Sequence, residues 1–221
     1  MNKTALIIYG GWEGHQPREI SEQFKGFLEE LGFDCEMHPD LTVLEDEGRM
    51  MNLNLLVPMW TMGELSGVAT RCVLEAVEKG MGLAGCHGGM GDAFRANTDW
   101  QFLTGGQFVS HPGNDGTDYR VNIKRGSSPI LEGIHDFSIK SEQYYMHIDP
   151  AIEVLATTRF MADPSFGPHT TNGEVDVPVV WTKRWGRGRV FYNSLGHNTK
   201  VFDQYEPAEI MKRGFRWAAK R

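Results

Sequence analysis

The sequence predicts an α/β fold in which helices cover both faces of a mostly parallel sheet that antiparallel strands extend. Two observations carry this prediction. Short apolar runs alternate with amphipathic segments of helical spacing through the first half of the chain, and β-rich segments with few helices fill the second half. Alternating strands and helices are typical of a parallel sheet with helices on both faces.

The elements of the first half follow from hydrophobic spacing and from glycines. The apolar run at 5–9 ends at two glycines, as expected of a strand buried on both faces. After Pro17, apolar residues at helical spacing predict a helix that ends at Gly32. Further strands are predicted at 33–37, 53–59 and 81–85, and a helix at 66–78 is predicted to turn inward Val68, Cys72, Val73, Ala76 and Val77.

The second half of the chain is predicted to extend this sheet with antiparallel strands. Residues 185–189 predict a turn because apolar, β-rich runs flank them. A closing helix is predicted from about 207 to 220. The remaining β-rich segments are 119–124, 137–145, 153–158 and 177–181. Since no repeat, low-complexity tract or linker interrupts the chain, residues 1–221 are predicted to form a single domain.

Composition excludes several classes of function. The formal net charge of -7 argues against nucleic acid or an anionic membrane as the main partner. The three cysteines form no CxxC pair, and no signal peptide or membrane-length apolar run occurs, so we expect a cytoplasmic protein. No GxGxxG follows the first strand and no Walker lysine motif is present, so no nucleotide cofactor is expected.

Histidines are the main candidates for chemistry, because imidazole carries protons near neutral pH and is the commonest metal ligand. His15 and His87 follow predicted strands, and their loops are expected to line one site at the carboxyl edge of the sheet. His197 comes at another strand end, and His111 precedes a glycine-rich turn. For any one histidine alone, a surface or structural role is the commoner outcome, and His38 and His135 are assigned that role.

The segment Gly85-Cys86-His87-Gly88-Gly89 has the spacing of a nucleophile elbow with His87 at its apex. Cys86 lies one residue early and is expected to be a buried small hydrophobe, with a thiol hydrolase as the alternative. Arg95 follows the elbow closely enough to supply a hydrogen-bonding fork.

Glu142 and His147 lie five residues apart on a predicted strand, which places them on opposite faces unless a bulge or strand end intervenes. Three roles stay open for Glu142: general base, metal ligand, or partner of an arginine or tyrosine. His169 lies in a loop that could close over a site. Trp12 and Tyr144 belong to a set of aromatic residues compatible with sugar stacking, for which core packing is the alternative.

Several motifs in order along the chain resemble the ThuA-like, or trehalose-utilisation, family. They include 9–15, 82–89, 100–102, 111–113, 142–147 and 188–192. The resemblance implies a flavodoxin-like three-layer sandwich similar to class I glutamine amidotransferases. In those enzymes the elbow carries a nucleophilic cysteine and a later histidine assists it. Here His87 stands at the elbow and Gly196-His197 matches the later position, which implies that the protein is not a glutaminase.

The resemblance further implies a sugar-metabolism enzyme acting on a disaccharide-derived or keto-sugar substrate, as an isomerase or a hydrolase or lyase. The alternative is a non-catalytic sugar-binding or regulatory protein. His87, Glu142 and His197 are the predicted catalytic residues, and His87 and His197 are the predicted ligands of a divalent metal, zinc or manganese. The predicted substrate-binding residues are Trp12, His15, Arg95, His111, Tyr144, His147 and His169. A small-molecule sugar is the expected partner, and a homodimer is expected from the size and acidity of the domain.

Overall fold

A nine-stranded sheet forms the centre of the computed structural model, which describes residues 3–126 and 128–220. The strands are β1 (Lys3–Gly11), β2 (Phe33–His38), β3 (Leu55–Thr61), β4 (Gly82–Cys86), β5 (Gly106–Ser110), β6 (Thr117–Ile123), β7 (Phe137–Ser141), β8 (Tyr145–Ile148), β9 (Glu153–Phe160), β10 (Val175–Trp185) and β11 (Gly188–Asn193). The helices are α1 (Pro17–Glu30), α2 (Glu47–Asn52), α3 (Gly67–Glu78), α4 (His87–Gly91), α5 (Thr98–Thr104) and α6 (Tyr205–Ala218).

The sheet has a parallel half and an antiparallel half. Its spatial order is β2-β1-β3-β4-β11-β10-β9-β6-β7. The five strands from β2 to β11 run parallel to one another. From β11 onward each strand pairs antiparallel with the next, through β10, β9 and β6 to β7. This arrangement confirms the predicted α/β class, with a parallel sheet and an antiparallel extension.

Helices cover both faces of the sheet because successive residues of the buried strands face opposite ways. In β1, Ala5 and Ile7 belong to the apolar core under α1 and α6, whereas Leu6 and Ile8 belong to the core under α3 and α5. The result is three layers, and it leaves the carboxyl ends of the parallel strands together at one edge of the sheet.

The helix boundaries follow the expected local chemistry. Pro17 opens α1, and Gly32 follows its end with a φ of +81°, a left-handed conformation that glycine adopts without strain. The Ser66 hydroxyl caps α3 by accepting a hydrogen bond from the Ala69 amide at 3.1 Å. Within residues 3–126 and 128–220, no helix is long and apolar enough to cross a membrane.

Two expectations about the elements were wrong. The segment predicted as one strand at 137–145 is broken, because β7 ends at Ser141 and β8 begins at Tyr145 and pairs instead with β5 in a separate two-stranded sheet. Val68, predicted to face inward, is 43% exposed, since it lies in the first turn of α3 whereas Ala69 and Thr70 are buried. The short helices α2 and α5 were not predicted.

Candidate metal centre

Four parallel strands deliver polar groups to one point at the carboxyl edge of the sheet. His15 follows β1, Thr61 ends β3, His87 follows β4, and His197 comes four residues after β11. His15 and His87 are almost fully buried, with exposed fractions of 4% and 1%. The sequence prediction that the His15 and His87 loops share one edge is therefore met by the structure.

The elbow at His87 explains how a strand turns into a helix within one residue. His87 has a φ of +47°, a strained conformation for a residue with a side chain, and α4 begins there. The flanking glycines are required by close packing. A Cβ at Gly85 would lie 2.8 Å from the Cβ of Met90, and one at Gly89 would lie 2.9 Å from the Cα of Met59. The backbone is thus pressed against β3, and the His87 ring is directed beyond the sheet edge.

Glu142 reaches this edge from the antiparallel half of the sheet, because it lies in the break between β7 and β8. The Tyr119 hydroxyl donates a hydrogen bond to the Glu142 carbonyl at 3.0 Å and fixes the backbone there. The Glu142 Oε2 atom lies 3.0 Å from His87 Nε2. It lies 3.3 Å from His197 Nδ1 and 3.7 Å from His15 Nε2. One carboxylate oxygen therefore faces three imidazole rings.

The second ring nitrogen of each histidine faces outward to another group. His15 Nδ1 lies 2.8 Å from the Thr61 hydroxyl, and His87 Nδ1 lies 2.8 Å from the Ser194 carbonyl. His197 Nε2 lies 3.7 Å from Asp115 Oδ2. Outer partners of this kind set the orientation and tautomer of histidines that bind metals. All three rings thus present one nitrogen to Glu142.

The protonation of His87 creates an unfavourable contact in the protein alone. Burial lowers the pKa of His87 to about 4, so the ring is neutral at physiological pH. A carbonyl oxygen only accepts hydrogen bonds, so the single ring proton lies on Nδ1, towards Ser194. Nε2 then directs a lone pair at the Glu142 carboxylate 3.0 Å away. A shared positive group between these two atoms would remove the repulsion.

Glu142 itself is ionised. Burial raises its pKa, but contacts with His15 and His197 outweigh burial and hold the pKa of Glu142 well below its usual range. For His197, burial lowers the pKa, whereas the nearby carboxylates of Glu142 and Asp115 raise it above its usual value. The cluster is therefore an anionic, largely buried centre surrounded by imidazole.

This geometry fits a divalent cation. The donor atoms of His15, His87, Glu142 and His197 all lie within 4.8 Å of one another. Tetrahedral zinc with bonds of about 2.0–2.1 Å places its ligand atoms about 3.3 Å apart, close to the 3.0–3.7 Å that separate Glu142 Oε2 from the three nitrogens. In addition, His197 Nδ1 is a buried polar atom without a hydrogen-bond partner. The cluster could therefore hold a metal ion.

Other predicted residues surround the mouth of this cluster. His111 Nε2 lies 3.8 Å from Glu142 Oε1, the oxygen that does not face the three rings. Trp12 is 45% exposed, and its ring meets the His15 ring edge-on with centroids 4.6 Å apart. The buried Tyr144 ring stacks on His87 with centroids 3.8 Å apart. Arg95 lies further out, bound by the Asp92 carboxylate and placed over the Phe108 ring.

Two predicted site residues lie elsewhere. His147 is exposed on β8, opposite Gln107 of β5, where it lines a different surface cavity. His169 contacts the rings of Tyr145 and Phe160 and lines a cavity of about 650 Å³. Glu142 and Tyr144 face the histidine cluster, whereas Gln143 lines the cavity of His169. The segment 142–145 therefore separates the two regions.

The structure makes Cys86 an unsuitable nucleophile. Its side chain is fully buried, burial raises the pKa of the thiol, and Sγ lies 3.9 Å from the Met59 sulfur. A thiolate is required for attack on a substrate. The thiol hydrolase alternative is therefore disfavoured by burial and by protonation.

Iodoacetamide is expected to leave all three cysteines of the native protein unmodified, since each is buried. Intact-mass spectrometry after native and denatured incubation measures this directly. The denatured sample should gain three adducts. Rapid addition of one adduct at Cys86 in the native sample would contradict the buried assignment.

The sequence prediction omitted the outer partners of the three histidines. Thr61 ends β3 two residues beyond the predicted strand end at 59. Had the end of this strand been predicted correctly, Thr61 would have been a candidate, because ligand sites lie at the carboxyl ends of parallel strands. Asp115 was visible in the glycine-rich turn after His111. The Ser194 carbonyl gives no sequence signal, because every residue carries one.

Solved structures with the same fold include two proteins described as ThuA-like. The protein from Bacteroides uniformis is 21% identical with a TM-score of 0.75, over 98% of this chain and 91% of that one. The protein from Parabacteroides merdae is 20% identical with a TM-score of 0.72, over 99% of this chain and 90% of that one. A β-galactosidase from Bacillus circulans sp. alkalophilus contains a similar unit, 13% identical with a TM-score of 0.59, over 98% of this chain and 30% of that one.

A search of curated proteins found no match. The ThuA family, described as trehalose utilisation, matches residues 4–218 of the sequence. This match spans the first strand to the last helix, and with it every residue of the histidine–glutamate cluster. The chain belongs to the ThuA, or trehalose-utilisation, family.

Proposed function

We propose that the protein is a metal-dependent enzyme of sugar metabolism that acts on a disaccharide-derived or keto-sugar substrate. The family description supports sugar metabolism. The observation that carries the metal is the convergence of three imidazole nitrogens on one buried carboxylate oxygen, each at 3.0–3.7 Å. A similar fold within a β-galactosidase is consistent with carbohydrate chemistry.

The donor set indicates which ions to expect. Three neutral imidazoles and one carboxylate suit zinc, and the carboxylate also allows manganese. With those four groups as ligands, such an ion would need a further coordination position for substrate or water, where it would polarise a carbonyl oxygen or lower the pKa of the water. His15, His87, His197 and Glu142 would hold it.

The remaining residues of the site bind and orient the sugar substrate. Trp12 exposes part of its indole beside His15, so it offers an apolar face on which a sugar ring can stack. His111 is partly exposed and lies beside the outer oxygen of Glu142, where it can hydrogen-bond a sugar hydroxyl or carbonyl. Tyr144 packs flat against His87 and excludes water from that side of the ring.

Elemental analysis of tag-free protein purified without chelators tests the metal. About one equivalent of zinc or manganese per chain is expected in the wild type and none in His87→Ala. The matched control is His135→Ala, which removes an exposed histidine outside the cluster and should keep the metal. Turnover of keto-sugar substrates should disappear with the metal. Equal metal in both variants would contradict the assignment of the ligands.

Removal of the metal should also lower thermal stability. A metal present at about 100 times its Kd stabilises the native state by about 2.7 kcal/mol. For a chain of this size that corresponds to a fall in Tm of about 5–10 °C on chelation. Differential scanning calorimetry with and without chelator measures the change, and readdition of zinc should restore it. An unchanged Tm in a protein that contains stoichiometric metal would contradict a site formed by the buried cluster.

One observation favours a second candidate, a non-catalytic sugar-binding or regulatory protein. The elbow apex carries His87, whose nitrogens face Ser194 and Glu142, so this fold position offers no free nucleophile. Saturable sugar binding in metal-loaded protein without any turnover would favour this candidate over the enzyme.

A further inference from the structure

Hydrogen bonds within the turn at 111–116 fix its backbone beside the candidate metal centre. The Asn114 amide donates to the His111 carbonyl at 2.9 Å, and the Thr117 hydroxyl donates to the Asn114 carbonyl at 3.0 Å. Asn114 has a φ of +57°, a left-handed conformation that asparagine tolerates. The turn therefore holds the side chain of Asp115 in a defined direction.

The two oxygens of Asp115 have different surroundings. Oδ1 accepts a hydrogen bond from the Gly116 amide at 2.8 Å. Oδ2 lies 3.7 Å from His197 Nε2. With Oδ1 held by the backbone, the second oxygen is left to face the histidine ring. The carboxylate is 56% exposed, so its own burial adds little to the free energy of folding.

His197 differs from His15 and His87 in the group that faces its outer ring nitrogen. His15 and His87 have outer partners at 2.8 Å, a hydroxyl and a carbonyl that belong to the sheet edge. The group that faces the outer nitrogen of His197 is Asp115. Its inner nitrogen, Nδ1, is buried without a hydrogen-bond partner. The Asp115 carboxylate therefore faces the outer nitrogen of His197 at a distance longer than a hydrogen bond, while the ring itself packs edge-on against His15 and His87.

We propose that Asp115 is a positioning residue for His197: when the 3.7 Å separation closes to a hydrogen bond on metal binding, its carboxylate holds the proton on Nε2 and thereby presents the Nδ1 lone pair to the metal. This inference rests on the proposed function, because it requires a metal at the cluster. A carboxylate behind a metal-binding histidine fixes the tautomer and makes the ligand more basic. Asp115 would not touch the metal or the substrate.

The test compares Asp115→Asn with Asp118→Asn. Both replacements remove one exposed carboxylate from the same stretch of chain, but only Asp115 faces His197. Zinc affinity, measured by competition with a chromogenic chelator, should fall about 10–100-fold in Asp115→Asn and stay within about twofold of wild type in Asp118→Asn. The visible spectrum of Co²⁺-substituted protein should change in Asp115→Asn alone, since it reports the ligand field.

The outcomes separate this inference from the proposed function. If wild-type protein binds zinc and Asp115→Asn binds it equally tightly with an unchanged Co²⁺ spectrum, Asp115 has no positioning role although the metal site stands. If wild-type protein binds neither ion, both proposals are overturned. Circular dichroism of the metal-free variant checks its fold, and Asp115→Ala, which adds no new hydrogen-bonding group, should reproduce the loss of affinity.

Discussion

The Glu142→Gln variant is expected to bind zinc about 100-fold more weakly than wild type, or more weakly still. Loss of an outer hydrogen-bond partner alone weakens metal sites about 10–100-fold, and Glu142 is a proposed direct ligand, so a larger loss is expected. The amide preserves the shape of the side chain but removes the negative charge that a buried cation needs. Turnover should fall with metal content. Chelator competition and elemental analysis measure both affinity and stoichiometry.

The control for this variant is Glu132→Gln, which neutralises an exposed glutamate away from the cluster. Its zinc affinity should match that of wild type. Tight, stoichiometric zinc in Glu142→Gln would show that the three histidines suffice or that the metal lies elsewhere. Either result would remove Glu142 from the ligand set.

The Gly88→Ala variant should damage both the fold and the site. A Cβ at Gly88 would lie 2.5 Å from Cε1 and 2.6 Å from Nδ1 of the His15 ring, and 3.0 Å from the Thr61 hydroxyl. The His15 ring must therefore move away from Gly88, and this movement is expected to disturb its 2.8 Å hydrogen bond with the Thr61 hydroxyl. Overpacking of this kind lowers the free energy of unfolding by about 1–3 kcal/mol. Urea denaturation of metal-free protein measures the loss of stability.

Gly26→Ala is the matched control for Gly88→Ala. Gly26 lies inside α1, and a Cβ there would meet no atom within 4 Å. Alanine should raise the free energy of unfolding by about 0.5–1 kcal/mol through helix propensity. Zinc affinity should fall about tenfold or more in Gly88→Ala only, because only that substitution displaces the ring of His15, a proposed ligand. Wild-type stability and affinity in Gly88→Ala would contradict the close packing of His15 on the elbow.

The parallel half of the fold was predictable because its strands are buried on both faces. Continuous apolar runs such as 5–9 and a glycine-flanked turn such as the one at His87 can be recognised from the local sequence alone. The strand break at Glu142 was not predictable. It depends on β8 pairing with β5, and spacing within a segment carries no information about its partner strand.

The candidate site was predicted in part. The positions of His15, His87 and His197 at strand ends and the open roles of Glu142 came from the residues themselves, and the family resemblance then made His87, Glu142 and His197 the predicted catalytic residues. His147 was included as the histidine that ends the 142–147 motif, but it is exposed on β8, away from the cluster. The catalytic roles, the metal, the single domain and the homodimer stay predictions.

The break that carries Glu142 also has a consequence for how the protein forms. His87 and Glu142 are 55 positions apart in the chain, and His87 and Ser194 are 107 apart. An unfolded chain must close loops of this length before the ligands meet, and such closure opposes binding through lost chain entropy. We therefore expect the proposed metal ion to have little affinity for a partly synthesised or unfolded chain. Its binding should follow the joining of the two halves of the sheet, so that bound metal would report completed folding.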